Sequence, residues 1–263
     1  MKKIAIGTLK GGVGKTQNVF NLAGFLAEKG KKFLVFDNDP QGNTTNDFGL
    51  DKLQESFKGA EEIYENDIKA ENIIIKAPIK GLPNLDIIPG TIRLTSTEMR
   101  VISLAGRELI LRNWFKKNRN VLSLYDYVIF DTNPSMSVIN QNVFLIADSI
   151  IIVSDVGSNC LNGAEYFIDL WSEIIARLDM ENNIKAFIVN KVRKGVNVDR
   201  DFLEYLKEHE AIKDIMLDTV ITLNTKLNEA EINNLPINLY DRNSAGYEAF
   251  TQVVAELEKR GVV

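Results

Sequence analysis

One stretch of this sequence is dense in residue types that handle phosphate: Lys10-Gly11-Gly12-Val13-Gly14-Lys15-Thr16. It follows the strand-length run Ile4-Ala5-Ile6-Gly7 and opens a helical pattern. A glycine loop in that context lets backbone N–H groups approach phosphate oxygens, and the helix N-terminus adds the positive end of its dipole. The spacing predicts that Lys15 reaches the β- and γ-phosphates of ATP and that the Thr16 hydroxyl ligates Mg²⁺. With Gln17, residues 10–17 form the expected nucleotide-binding set. The competing reading, a glycine-rich turn that binds nothing, is weak with Gly-Lys-Thr at the helix start. The general pattern wants glycine five residues before Gly14, where this chain has Leu9; a second lysine, Lys10, opens the loop instead. A lysine there cannot easily fold back onto its own phosphates. It could reach phosphates in a facing subunit, as an arginine finger does, or be a solvated loop lysine. Spacing alone leaves both readings open.

Two acidic sites accompany the loop. The run Phe36-Asp37-Asn38-Asp39-Pro40-Gln41-Gly42-Asn43 places Asp37 and Asp39 two apart at a strand end, so both are expected on one face. Beside Mg-ATP, such a carboxylate can orient or deprotonate the attacking water, or hold a magnesium-bound water. The bland alternative is a turn, since Asp-Pro and Gln-Gly-Asn are ordinary turn chemistry. The second site is Asp131, which ends the apolar strand Tyr127-Val128-Ile129-Phe130 and looks like the acidic Mg²⁺ partner of a phosphate loop. Asp37 and Asp131 join Thr16 as the expected metal-side residues.

The elements that must position these groups are legible from periodicity. Strand-like apolar runs fall at Ile4–Gly7, Phe33–Phe36, Leu85–Ile88, Tyr127–Phe130, Ile150–Val153, Ala186–Val189 and Ile215–Ile221. Most are apolar on both faces, as in a parallel sheet covered by helices. Helical patterns lie between them: Val19, Leu22, Ala23 and Leu26 share one face within 16–29, and 161–178 and 244–259 are similar. The expected fold is therefore α/β: a doubly wound, mostly parallel sheet with helices on both faces, in one domain over 1–263. Residues 50–84 are polar and weakly periodic and are expected as a surface insertion with short helices.

Composition excludes several classes. The 263 residues are 45% hydrophobic and 25% charged, as for a soluble domain with a real core. No apolar run is long enough to cross a bilayer, and Met1-Lys2-Lys3 lacks the apolar segment of a secretory signal. The single Cys160 rules out an intrachain disulfide framework and suits a reducing, cytoplasmic compartment. It is expected as a small buried residue, and His209, the only histidine, as an exposed one. A net charge of −5 means that nucleic-acid binding would need a local basic patch.

Taken in order, Lys10–Thr16, Asp37–Asn43 and Tyr125–Asp131 resemble the motifs of the ParA/MinD group of deviant Walker ATPases, nearest its ParA/Soj branch. The closing segment, Leu235–Asp241 and Ser244–Phe250, resembles that branch too; the likeness is thin from 50 to 125. The resemblance implies a P-loop fold and an ATP-hydrolysing switch. Two subunits would sandwich two ATP molecules, each with Mg²⁺. Lys10 matches the signature lysine that contacts the other subunit's nucleotide, Asp39 the residue that positions the hydrolytic water, and Asp131 the Mg²⁺-side acid. Asn190 and Pro236 fall where such ATPases meet the adenine. The ATP-bound homodimer would bind DNA without sequence preference, giving nucleoid association, and a centromere-binding ParB-type partner would stimulate hydrolysis. The resemblance thus implies partition of a plasmid, chromosome or mobile element.

The chain departs from this pattern in places. Where many relatives carry Pro-Arg-Asn-Val-Arg-Leu, with arginines used on DNA, it has Thr222-Leu223-Asn224-Thr225-Lys226-Leu227. Lys226, with Lys191, Arg193, Lys194 and Arg200, is the replacement cluster expected on DNA; the alternative is a solvated loop. Lys116, Lys117 and Arg119 form a weaker cluster. Three residues precede the first strand, so no helix-turn-helix is expected. Helix 244–259 mixes charge signs on its polar face and reads as a packed terminal helix rather than a MinD-type membrane tail. The alternatives are an ATPase that positions a protein cargo or regulates replication, and a membrane-associated MinD-like switch.

Overall fold

The computed structural model describes residues 1–51 and 57–263; the part of the expected insertion at 52–56 lies outside the described residues. Six strands form one sheet: β1 (Lys2–Gly7), β2 (Phe33–Asn38), β3 (Leu85–Ile88), β4 (Tyr127–Thr132), β5 (Ser149–Asp155) and β6 (Ile184–Asn190). Their order is β3-β2-β4-β1-β5-β6 and every pairing is parallel. Parallel neighbours need crossover connections, and twelve helices accompany the described strands. These are α1 (Lys15–Glu28), α2 (Asn43–Asp47), α3 (Glu61–Asn66), α4 (Arg93–Val101), α5 (Ile110–Lys117) and α6 (Arg119–Leu122). Then follow α7 (Val138–Ile146), α8 (Ser158–Arg177), α9 (Asn197–Glu208), α10 (Thr225–Ile232), α11 (Ile237–Tyr240) and α12 (Ala245–Lys259).

Strand periodicity divides the core in two. Ile4, Ile6, Phe33, Val35 and Ile129 face α1, α10 and α12, where Phe20, Leu22, Leu227 and Phe250 meet them. The alternate residues Ala5, Leu34, Phe36, Val128 and Phe130 face α3, α5, α7 and α8, against Tyr64, Trp114, Phe144 and Trp171. Each fully buried large apolar side chain contributes about 1.5–3 kcal/mol, so this two-faced burial explains why the strands read as continuous apolar runs. The apolar face of α12 is inside, with Phe250, Val253 and Leu257 fully buried, as expected of a packed terminal helix. Among the described residues no helix is long and apolar enough to cross a membrane.

Two expectations are corrected. Ile215–Ile221 is not a strand: it runs beside β6 but makes only isolated bridges, Phe187 to Met216 and Val192 to Thr222. Between them the Glu256 carboxylate on α12 accepts from the Asp218 and Thr219 N–H groups, at 2.9 and 3.1 Å, and interrupts the ladder. Residues 57–84 have the short helix α3 and many exposed residues, but part of the segment also enters the core. Ala60, Ile63, Tyr64, Ala70, Ile73 and Leu82 are buried, and the Trp114 indole N–H donates to the Ile68 carbonyl at 2.5 Å. Their apolar residues enter the core from turns and one six-residue helix, so no periodic pattern announces them.

Candidate functional site

The phosphate loop joins β1 to α1 at the C-terminal edge of the sheet, next to the point where strand order reverses about β1. Gly14 takes the N-cap position of α1 with φ 94° and ψ 30°, a left-handed conformation that other residues rarely adopt. No side chain caps α1, and no acidic residue occupies its first turn. Its first N–H groups therefore remain available to an anion. The loop is braced from β6. The Asn190 amide donates to the Val13 carbonyl at 2.9 Å, and Lys191 Nζ donates to the Gly12 carbonyl at 2.5 Å.

Thr16 and Asp131 come together as expected. The Thr16 hydroxyl donates to Asp131 Oδ2 at 2.8 Å, and the Thr44 hydroxyl to the same oxygen at 2.7 Å. Asp131 Oδ1 is buried and, among the described residues, has no hydrogen-bond partner. An orphaned carboxylate oxygen beside a hydroxyl, below an uncapped helix end, fits a phosphate-bound Mg²⁺ and its water shell. Among the described residues no three His, Cys, Asp or Glu side chains form a metal cluster.

The electrostatics agree. Burial pushes Asp131 above the usual carboxylate range, with the Thr44 hydrogen bond and Lys15 opposing the shift. Burial, then the neighbouring Asp131, pushes Asp37 up as well. Lys15 is buried and its pKa is lowered by desolvation, with Asp131 and Asp39 opposing. A lysine and carboxylates held under strained protonation await groups that stabilise their charged forms.

Asp37 and Asp39 do not share an environment. Asp37 is fully buried and accepts from the Thr45 N–H and hydroxyl, at 2.8 and 2.6 Å, and from the Asp39 N–H at 3.2 Å. Strand β2 ends at Asn38, so Asp39 already belongs to the turn, where its carboxylate accepts from the Gln41 N–H at 2.9 Å. Asp39 lines a cleft of about 520 Å³ over the phosphate loop; Asp37 lies beneath it, holding the turn. Lys10 is exposed at the loop's entrance.

Other expected residues are redistributed. Pro236 is buried against α1 and is not among the residues lining the cleft: a Cβ on Gly24 would sit 2.6 Å from its ring, so glycine there permits the approach. The basic cluster does not form one patch. Lys191 reaches into the cleft, and Arg193 pairs with buried Asp199 at 2.5 Å. Lys226 pairs with Glu229 at 2.6 Å, and it shares a separate hollow with Lys194 and Leu223. Arg200 pairs with Asp201 at 3.4 Å. Cys160 is half-buried, and desolvation raises its pKa. His209 is not exposed: it is half-buried, with Nε2 2.9 Å from Glu165 Oε1, because the C-terminus of α9 folds against α8.

Sequence reasoning missed the far wall of the cleft, built from Asn46 and Asp47 on α2 and Asn228 and Glu231 on α10. Burial, then Glu231, raises Asp47 to about 8. The Asn224 N-cap, whose side chain accepts from the Lys226 N–H, was the one signal for α10.

Residues 1–186 match the family model described as an AAA domain. Over 260 residues the chain is 31% identical to the sporulation initiation inhibitor protein Soj of Bacillus subtilis (strain 168), covering 99% of each chain. The chain belongs to the ParA/Soj-type partition ATPases. A Borrelia burgdorferi B31 protein described as a plasmid partition protein, solved with AMPPNP, superposes on this ParA/Soj-type chain with a TM-score of 0.79; it is 25% identical, covering 98% of this chain and 99% of that one. The fold is also that of apo McdA from Cyanothece, with a TM-score of 0.85, 19% identity and the same coverage.

Proposed function

We propose that this ParA/Soj-type chain is a switch driven by Mg-dependent ATP hydrolysis, and that it partitions a plasmid, chromosome or mobile element. The observation that carries the reading is the Thr16–Asp131 pair with its orphaned Oδ1, set under an uncapped helix end. The N-terminal N–H groups of α1 and Lys15 hold the β- and γ-phosphates. Thr16 and Asp131 would hold Mg²⁺, which would supply positive charge to the phosphate oxygens. Asp39 orients a water whose oxygen forms a bond to the γ-phosphorus as the bond to the β–γ bridging oxygen breaks, giving ADP and phosphate. Asp37 fixes the turn that carries Asp39. Lys10, exposed at the entrance, reaches the nucleotide of a facing copy, so ATP joins two chains.

The homodimer then binds DNA through phosphate contacts, and a ParB-type partner triggers release. A cytoplasmic, nucleoid-associated location goes with this. One observation favours a second reading, a positioning ATPase for a protein cargo: three of the cations expected on DNA are tied to Asp199, Asp201 and Glu229. DNA binding by the purified chain with ATP, ADP or no nucleotide, at low and moderate salt, tests the choice. ATP-dependent, salt-sensitive and sequence-indifferent binding is expected. Its absence in every state, with ATP turnover intact, would move the conclusion to a protein cargo.

A further inference from the structure

Asp37 and Asp131 are register partners on β2 and β4, so two fully buried carboxylates stand side by side on strands about 4.8 Å apart. Burying a carboxylate is costly unless donors surround it. One short element supplies donors to both. Thr44 and Thr45 are consecutive on α2, and both are fully buried. The Thr44 hydroxyl donates to Asp131 Oδ2 at 2.7 Å, and the Thr45 hydroxyl to Asp37 Oδ2 at 2.6 Å. Successive side chains of a helix point about 100° apart, which lets neighbours reach different acids.

The two threonines hold their acids differently. On the metal side, Thr16 from α1 and Thr44 from α2 both donate to Oδ2 of Asp131. Two donors on one oxygen fix the plane of the carboxylate. They leave Oδ1, which among the described residues has no partner, as the oxygen available to a cation or its water. On the turn side, Thr45 gives both its N–H and its hydroxyl to Asp37 Oδ2, while Asp37 Oδ1 accepts from the Asp39 N–H at 3.2 Å. The Thr45 hydroxyl oxygen also accepts from the Gly90 N–H at 2.8 Å. Gly90, just after β3, presses on the same turn: a Cβ there would lie 2.7 Å from Asp37 Cγ and 2.8 Å from the Asp39 carbonyl oxygen. Thr45 thus joins α2, Asp37 and the loop after β3 at the base of the Asp39 turn.

We propose that Thr44 and Thr45 are positioning residues with separate tasks: Thr44 orients Asp131 for Mg²⁺, and Thr45 sets the turn from which Asp39 orients the water. Neither lines the cleft, so each acts through the acid it holds. A five-residue helix does not stand alone, so side-chain bonds must fix α2 in place. At its far end the Asn234 amide donates to the Asn46 carbonyl at 2.7 Å. With that bond and one threonine kept, α2 stays seated when the other threonine loses its hydroxyl, and the two tasks separate. The inference rests on the reading of the cleft as a Mg-nucleotide site.

Valine keeps the shape of threonine and removes the hydroxyl, so two valine variants of the full chain test this. Mg²⁺ is titrated in the presence of a fluorescent, non-hydrolysable ATP analogue, and phosphate release from ATP is followed in a single turnover at saturating Mg²⁺. Thr44→Val should raise the half-saturating Mg²⁺ concentration about tenfold, with turnover at saturation within a few-fold of native. Thr45→Val should leave that concentration within about twofold and slow turnover about tenfold or more. Thr44→Ser and Thr45→Ser keep a hydroxyl and should restore native values. Should Thr44→Val not fold, Thr44→Ala removes the same hydroxyl with less bulk. Should Thr45→Val not fold, Gly90→Ala tests the same branch: its methyl pushes on the Asp39 carbonyl and should slow turnover at unchanged Mg²⁺ affinity. Equal losses of both quantities in both variants, native values in both, or serine variants as impaired as the valine ones would overturn the proposal. A native chain that binds no nucleotide would overturn the reading of the cleft; one that binds and hydrolyses ATP while its variants show no such split overturns this inference alone.

Discussion

The two edges of the sheet treat charge in opposite ways. At the C-terminal edge Lys15, Asp37, Asp39 and Asp131 are all buried, and burial pushes Lys15, Asp37 and Asp131 away from their ordinary protonation. At the N-terminal edge Arg112, Lys116 and Arg119 are exposed, and the buried surface is apolar. Burying ionisable groups is costly unless partners complete them, so the first edge is built to be finished by a charged ligand. The second edge leaves its charges hydrated and its apolar groups open to water.

The sharpest way to break this comparison is Lys15→Ala. If the C-terminal edge is the nucleotide site, the affinity for fluorescent ATP analogues should fall by at least about a hundredfold, since a buried charge-assisted contact is lost. Binding within a few-fold of the native chain would mean that nucleotide sits elsewhere. Asp39→Ala comes next: ATP affinity should stay within a few-fold while turnover drops by about 10²-fold or more, measured by single-turnover phosphate release. A parallel fall in affinity would recast Asp39 as a binding residue.

The third prediction uses pH. Asp47 is raised to about 8 in the folded chain, by burial first and Glu231 second. The folded state therefore keeps a proton that the unfolded chain releases near pH 4. Fewer protons bound in the unfolded state give a negative slope, so stability falls as pH rises from about 4 to about 8. Asp37 and Asp131 are raised too and act in the same direction. Asp47→Asn should flatten the slope without abolishing it. Because Asp47 is partly open to solvent, we expect at most about 1 kcal/mol across the window, a Tm difference of about 2–4 °C between pH 5 and pH 8. A slope unchanged in this variant would assign the dependence to the two deeper carboxylates.

Legibility followed the same division. Gly14, Lys15, Thr16 and Asp131 were legible from short local spacing and strand ends; Gly14 caps α1 and Thr16 is hydrogen-bonded to Asp131. Strand runs were legible because both faces of β2 and β4 are buried, which makes them apolar throughout. Tyr64 and Ile73 were not, because they enter the core from a six-residue helix and a turn. Asp37 and Asp39 were expected on one face of a strand end; β2 ends at Asn38, which puts Asp37 in the strand and Asp39 in the turn. Arg193 was expected on DNA because it lies in a run of cations, and Lys226 because it stands where relatives carry an arginine; neither signal shows what neutralises the charge. Asp199, six residues after Arg193, and Glu229, three after Lys226, supply the carboxylates.

The smallest effect tests the N-terminal edge. Lys117 lies near Arg119 and is paired with Asp67, and both side chains are more than half exposed, at 62% and 55%. An exposed pair gains little Coulomb energy in water, gives up side-chain freedom and is screened by salt. Lys117→Ala should therefore cost less than about 1 kcal/mol by urea unfolding at low salt, and the cost should vanish near 0.5 M salt. Nucleotide affinity should be unchanged. A loss well above that range, insensitive to salt, would show that this charge is held as tightly as Lys15, and the contrast between the two edges would no longer stand.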